Sequence, residues 1–376
     1  MSFVATYSAA SVRGYSAPTL PKYVTIDTVS ANGNANTRYW SVFVSRTDIG
    51  NGQFVASKNF VGNVNIRKIG DTFNKTFTTN ISTPIYGNVV PGSVVINEQG
   101  NLVITYNGNA TVGVFEYNGN NYSLIQTITK PNAGDTEFGL NLEISANANI
   151  LVIGTVEGFA SNTYYYTRSG NNFTFAGTVV AGQGRAFTIN NAGNIIAAQS
   201  NTLLRTVSVY ANNGNGYSIT SNITTPNANL NAFGWDIRLN DIGNIINIYG
   251  GNATGSVRYI WTYANIANTW TQTANKGVNY PYTSFLASSV TYINSGGNVN
   301  LIPQPSPLSN IGNVQLYNGN TVITQTFLPS ATANYANSLY GSKVAGDDAG
   351  KYIVITNGYT GNANNFQVMD ILQLIT

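Results

Sequence analysis

Runs of four to eight residues rich in Val, Ile, Thr, Tyr and Phe recur along the whole chain, each ended by Gly and Asn, and no stretch sustains apolar residues at helical spacing. This pattern predicts strands and no substantial helix, because apolar positions follow a pleated period and not a 3.6-residue stripe. The punctuation is itself repetitive. "INEQGN" (96–101), "INNAGN" (189–194), "LNDIGN" (239–244) and "INSGGN" (293–298) are near-copies of one turn. A second turn recurs as "YNGNNY" (117–122), "RSGNNF" (168–173), "NNGNGY" (212–217) and "YNGNTV" (317–322). Gly and Asn tolerate the positive φ that tight hairpin loops need.

Aligned on the first turn, the chain repeats every 45–50 residues or so, the range of a four-stranded propeller blade. The unit from Phe233 divides into "WDIRL", "IINIYG", "VRYIWTY" and "TWTQTA", and the same order appears from Pro91, Phe138 and Gly184. Weaker units start near Tyr39, with an insertion in the first turn, and span about 284–338. The last, from Tyr340, has only three clear strands. Its fourth can come from the other end, since "YVTIDTVSANGNANTRYWSVFVS" (23–45) matches "YSLIQTITKPNAGDTEFGLNLEIS" (122–145) as fourth strand, connector and next first strand. The expectation is an all-β, seven-bladed β-propeller of four-stranded blades, closed by an N-terminal strand completing the C-terminal blade. Closure leaves only short outer edges where an open array would expose two apolar sheet faces. Residues 1–21 would be an arm that reaches a neighbour, and 22–376 a single domain. Its blades fall near 39–88, 89–137, 138–183, 184–232, 233–283, 284–338, and 339–376 plus 22–30.

At "EFGLNLEISANANILVIGT" (137–155) and "AFGWDIRLNDIGNIINIYG" (232–250) the chain resembles the FG-GAP type of propeller repeat, known from integrin α heads and from bacterial and viral surface proteins. Shared elements are Phe-Gly opening the first strand, a Gly-containing turn, an apolar second strand and an aromatic third strand with an "NGN"-like turn. Looser matches extend the resemblance over about 39–376. Those repeats often carry an Asp-x-Asp-x-Asp-Gly calcium loop. Neither "DDAG" (347–350) nor "NDIGN" has the spaced carboxylates that a six- to eight-oxygen Ca²⁺ site requires, so calcium is not implied.

Composition narrows the function. Charged residues are 8% of the chain, against about 25% in a typical domain, while aromatics reach 12%. The 17 Lys and Arg are scattered and the net charge is only +3, so nucleic-acid binding is not expected. With no Cys and no His there is no disulfide, thiolate nucleophile or Ser-His arrangement. The N-terminus lacks a basic segment followed by an apolar h-region, and no run of 18 apolar residues exists, so neither a secretory signal nor a membrane insertion is expected.

Candidate chemistry is sparse. A glycosidase needs two carboxylates about 5–10 Å apart. Glu143, Asp236, Asp347 and Asp348 fall in first strands or their turns, where a turn or channel-rim role competes with that reading. Sialidase-type Asp boxes and an Arg cluster are not visible. Trp40, Trp235, Trp261 and Trp270 could stack on sugars or pack between blades, and at least one of Tyr164, Tyr165 and Tyr166 should keep its hydroxyl near a surface. The sequons at Asn74, Asn80, Asn109, Asn121, Asn172, Asn222 and Asn252 match the number chance supplies in this composition. "IPQPSPL" (302–308) is expected to be a loop, because Pro cannot donate to a ladder.

No catalytic, metal or cofactor residue is therefore assigned, and no cofactor is expected. The function expected is a non-enzymatic virion surface component, made in the host cytoplasm: a decoration, fibre or vertex protein that binds other virion subunits or a host glycan. The alternative is a secreted, extracellular, bacterial carbohydrate-binding or carbohydrate-active propeller. An intracellular scaffold fits less well, since such scaffolds carry more charge.

Overall fold

The computed structural model describes residues 22–31, 39–59, 62–79, 93–108, 110–135, 138–155, 162–181, 186–199, 205–226, 232–251, 258–277, 292–294, 297, 299–304, 313–318, 322–327, 339–358 and 367–375. Residues 1–21, the expected arm, lie outside that set.

The chain begins with β1 (Lys22–Ala31), discussed last. The first sheet holds β2 (Tyr39–Val44), β3 (Phe54–Asn59), β4 (Asn63–Lys68) and β5 (Asn74–Thr78). The second holds β6 (Val94–Ile96), β7 (Leu102–Tyr106), β8 (Thr111–Tyr117) and β9 (Tyr122–Thr129). The third is β10 (Asn141–Ile144), β11 (Ile150–Gly154), β12 (Thr163–Ser169) and β13 (Asn172–Val180). The fourth is β14 (Phe187–Ile189), β15 (Ile195–Gln199), β16 (Thr206–Asn212) and β17 (Tyr217–Thr224). The fifth is β18 (Ala232–Leu239), β19 (Ile245–Gly251), β20 (Arg258–Ile266) and β21 (Thr269–Gly277). The sixth is β22 (Tyr292–Ile293), β23 (Val299–Gln304), β24 (Asn313–Asn318) and β25 (Val322–Phe327). The seventh joins β26 (Leu339–Gly346), β27 (Tyr352–Gly358) and β28 (Gln367–Ile375) to β1, which pairs antiparallel with β28 on the outside. All of these sheets are antiparallel and four-stranded.

The seven-blade expectation takes one amendment from the packing. Apolar cores are resolved at six of the sheet-to-sheet boundaries. Between the fifth and sixth sheets the described contacts are smaller, Gly297 against Ile245 and the Lys276 ammonium 4.9 Å from the Tyr317 ring centre. Elsewhere the second and third strands interdigitate across each boundary, as where Leu102, Ile104 and Val114 of the second sheet meet Leu151, Ile153 and Tyr166 of the third. These side chains are almost wholly buried on both faces of each sheet, which explains why the inner strands are apolar runs and the fourth strands are not.

Three devices recur at the fourth strand, and β1 carries all of them. The Tyr that opens the strand donates its hydroxyl to the carbonyl of the Gly in the first turn of its own sheet: Tyr122 to Gly100, Tyr217 to Gly193, and Tyr23 to Gly350. A bulge follows three residues later, at Ile125, Thr220 and Ile26 among others. At β13 and β1 a Gln on the preceding sheet staples the strand by both backbone groups. The Gln126 amide binds the Phe173 carbonyl and N–H at 2.8 Å each, and Gln325 binds Tyr23 the same way at 2.8 Å each.

One local expectation is overturned. Residues 302–304 of "IPQPSPL" are not loop but the end of β23, with Pro303 opposite Val314; residues 305–308 lie outside the described set. Among the described residues β22 pairs only with Leu301 and Asn300, and Pro303 pairs with β24 alone.

Candidate functional site: a plugged axial channel

The first strand of each sheet lines the axis and ends in a buried polar residue: Ser45, Asn97, Ser145, Asn190, Asn240, Asn294 or Asp347. Its side chain accepts the N–H that starts the second strand. Asn97 Oδ1 takes Leu102 N–H at 3.0 Å, Asn190 takes Ile195 N–H at 2.9 Å, Asn240 takes Ile245 N–H at 2.9 Å, and Asp347 takes Tyr352 N–H at 2.8 Å. Ser45 and Ser145 do the same with an Oγ, for Phe54 and Ile150, at 3.0 Å each. The Asn that ends the motif completes it, because Asn97, Asn190 and Asn240 donate their amides to Asn101, Asn194 and Asn244 at 2.7–2.8 Å. The repeated "N-x-x-G-N" is thus a self-satisfied Asx turn.

Its Gly has a second reason. Gly243 sits at φ 79°, and a Cβ there would overlap Ile195 of the preceding sheet, so the turn is also a close inter-sheet contact. Backbone bonds then link turn to turn around the mouth: Ala146 N–H to Asn191 O at 3.1 Å, Asn191 N–H to Asp241 O at 3.0 Å, Asp348 N–H to Arg46 O at 2.8 Å.

Inside this ring, side chains from non-adjacent sheets meet across the axis. Arg46 of the first sheet places Nη2 2.8 Å from Glu143 Oε2 of the third, and Arg238 of the fifth pairs with Glu143 Oε1. Asp236 lies 3.5 Å from Arg238 Nε. Asn191 of the fourth sheet donates to Asp348 of the seventh and accepts from Arg46 Nη1 at 3.3 Å. The Glu143 side chain is 4% exposed, so these are desolvated, multiply bonded pairs, for which removing one partner costs far more than at a surface. Burial disfavours the Arg238 charge, but Asp236 and Glu143 outweigh it and raise its pKa. Burial pushes Asp348 up to about 7, against the pull of Arg46 and Asn191, and Asp347 up to about 6, against the Tyr352 N–H.

Among the described residues, a cavity of about 70 Å³ lies at the axis between Phe43, Glu143, Thr188, Arg238, Ala345 and Asp348. That holds a few waters and is well below the roughly 300–1,000 Å³ of small-molecule sites. All four sequence-proposed carboxylates therefore sit at the axis, Glu143 and Asp236 joined through Arg238, and Asp347 next to Asp348. Glu143 and Asp236 serve ion pairs, Asp347 serves its turn, and Asp348 accepts the Asn191 amide. Sequence reasoning missed Arg46 and Arg238. In aligned repeats they fall one residue after and two before the buried polar cap, axial positions where a charge in so charge-poor a chain is a signal.

The aromatics divide similarly. Trp261 is buried against Phe233 and Tyr259, with ring centres at 5.2 and 5.4 Å, and Trp270 packs against the same core. Trp235 lies 6.0 Å from Tyr249, and the Trp40 side chain is outside the described set. Tyr164 and Tyr166 face the second sheet, Tyr164 donating to Asp135 at 2.6 Å, while the half-buried Tyr165 turns to the fourth sheet and Tyr217. The "FG" signature is explained too: Phe233 is fully buried, and Gly234, at φ 94°, leaves no room for a Cβ beside Val207.

No protein-family model and no curated protein sequence matches the chain. Among solved structures it is similar to the β-propeller domain of Cps50 (Swd1) from Myceliophteria thermophila, with a TM-score of 0.61 and 9% identity over 94% of this chain and 100% of that one. At that identity the likeness establishes the β-propeller fold alone; the FG-GAP repeat type and a surface-protein context are not carried by it.

Proposed function

We propose that this propeller is a non-enzymatic binding and structural protein, and more specifically a virion surface component that binds other subunits or a host-surface glycan. The observation that carries the reading is the axial plug. The place where propellers commonly hold a ligand is filled here by Arg46, Glu143 and Arg238, with Glu143 and Asp236 held in ion pairs, Asp347 in its turn and Asp348 by the Asn191 amide. Binding then falls to the outer surface, where β9, β13 and β17 contain no charged residue and present Thr, Ser, Asn and exposed Leu124, Phe175 and Ile219. Contacts of that kind depend little on ionic strength. Mass spectrometry of purified particles against culture supernatant tests it: enrichment in particles is expected, and absence from every particle fraction overturns the virion reading.

A secreted carbohydrate-binding propeller is the second reading, favoured by a groove beside the closing strand whose lining includes Thr72, Asn74 and Gln373. Glycan-array binding without particle association would select it, and turnover of an oligosaccharide would overturn the non-enzymatic assignment.

A further inference from the structure

Asn-Gly pairs recur in the turns of this chain, and in such a pair the Gly nitrogen can attack the Asn side-chain amide to close a five-membered imide, an intramolecular reaction favoured by proximity. Glycine permits it because no Cβ blocks the approach. Among the described residues the pair occurs at 51–52, 107–108, 118–119, 213–214, 215–216 and 357–358. The sequence ranks these alike, and the fold does not. Asn107 is buried, and Asn357 lies in β27 opposite Tyr340. The other four pairs have an exposed Asn in a turn.

Ring closure is helped by a Gly N–H free to react and by donors on the amide oxygen that takes up charge. At 51–52 and 213–214 the Gly N–H is already donated, to Asp48 Oδ1 at 3.0 Å and to Asn212 Oδ1 at 2.9 Å. At 215–216 the Gly N–H makes no hydrogen bond among the described residues, but Asn215 Oδ1 accepts none either. Of these four, 118–119 alone meets both conditions. The Gly119 N–H makes no hydrogen bond among the described residues, and nothing lies within 4 Å of where a Cβ on Gly119 would stand. Asn118 Oδ1 accepts two backbone N–H groups, of Asn120 at 3.0 Å and Asn121 at 2.9 Å, and its Nδ2 donates to Ser123 Oγ at 3.2 Å. The two N–H donors sit where negative charge gathers as Cγ becomes tetrahedral, which is the arrangement of an oxyanion hole.

We propose that the β8–β9 turn is a self-modifying site, at which Asn118 converts to aspartate and isoaspartate. Gly119 N bonds to Asn118 Cγ, the Cγ–Nδ2 bond breaks, and ammonia departs with the proton that Gly119 N gives up. Water then opens the imide at Cγ, leaving aspartate, or at the main-chain carbonyl, leaving isoaspartate with the chain running through Cβ. Either product sets a carboxylate beside β9, which has no charged residue. Isoaspartate also lengthens a turn closed by the Asn118 N–H to Asn121 O bond at 3.0 Å.

The test is incubation of the full chain at mildly alkaline pH in ¹⁸O-labelled water, natively and in urea, with peptide mass spectrometry to place the label. In the native protein, label should enter position 118 about tenfold faster than 51, 213 or 215; this is below the roughly 100- to 1,000-fold that an enclosed donor supplies, because the turn is exposed to water. In urea the four rates should converge, since the turn that distinguishes them is gone. A native rate at 118 no higher than at the other three, or the same ranking kept in urea, would overturn the proposal.

Discussion

The second and seventh sheets have the same four-stranded order, yet one is a continuous stretch of chain and the other is assembled from both ends. In the second, β9 follows β8 through a tight turn. In the seventh, β1 reaches the same place with 335 residues between Ala31 and Gln367 and no hairpin to hold it. What the two outer strands share is the Tyr–Gly clasp and the bulge, and β1 receives from Gln325 the staple that Gln126 gives β13. The local devices that dock a fourth strand are therefore sufficient to recruit one from a distant part of the chain. They also show why closure matters: Tyr23 is 1% exposed in a core with Val314, Leu316 and Ile353, so without β1 that core opens.

Deleting residues 1–31 should break the comparison most. Loss of a whole strand and its Tyr should lower the melting temperature by more than about 10 °C or abolish cooperative unfolding, measured by circular dichroism.

Next in size is the polar cap, Asn97 in the second sheet and Asp347 in the seventh. Burial raises Asp347 to about 6 and its neighbour Asp348 to about 7. Between the ordinary carboxylate value near 4 and these values, the folded protein keeps protons that the unfolded chain has released. This stabilisation is full in acid and is lost as pH climbs from about 4 to about 7. Asp347→Asn, which makes the seventh turn like the second, should be about 1–2 kcal/mol more stable than the parent at pH 7 and equal to it near pH 4. Denaturant titrations at both pH values check it; a pH-independent difference would count against the burial argument.

Removing a staple should cost about 1–2 kcal/mol, for two backbone bonds that water replaces in part. Gln325→Ala should exceed Gln126→Ala, because β1 has no covalent turn to fall back on; equal costs would mean the hairpin contributes nothing. Tyr23→Phe and Tyr122→Phe should each cost about 1 kcal/mol, a single hydroxyl bond. The smallest effect is expected in the third sheet, where Ala148 takes the Gly position at φ 58° with its methyl buried. Ala148→Gly relieves about 1 kcal/mol of left-handed strain and loses a comparable burial, so its stability should stay within about 0.5 kcal/mol, whereas Gly243→Ala should destabilise by more than 1 kcal/mol.

The all-β, four-stranded pattern was legible because it is written locally, in "NGN" turns and in apolar runs between them. The β1–β28 pairing was legible for the same reason, since Tyr23 and Tyr122 head matching strings. The axial ion pairs were not, because Arg46, Glu143 and Arg238 lie 97 and 95 positions apart and meet only when alternate sheets converge on the axis. Nor was the purpose of the first turn. Its Asn reads as a residue that tolerates positive φ, while in the fold it is the buried acceptor for the next strand, and its Gly is as much a contact with the neighbouring sheet as a conformational need. Pro303 misled because a Pro does not by itself exclude a strand: it lies within β23, opposite Val314.

The closure itself is open to a direct measurement because the chain has no Cys. Val24 faces Gln373 across β1 and β28 as Ser123 faces Glu116 across β9 and β8. Cysteine pairs at both sites, oxidised mildly and read by mass spectrometry under denaturing conditions, should each form an intramolecular disulfide to similar extent. If the Ser123/Glu116 pair closes while the Val24/Gln373 pair remains as free thiols or links two molecules, the outer strand of the seventh sheet is not this chain's own N-terminal strand, and the account of closure is wrong.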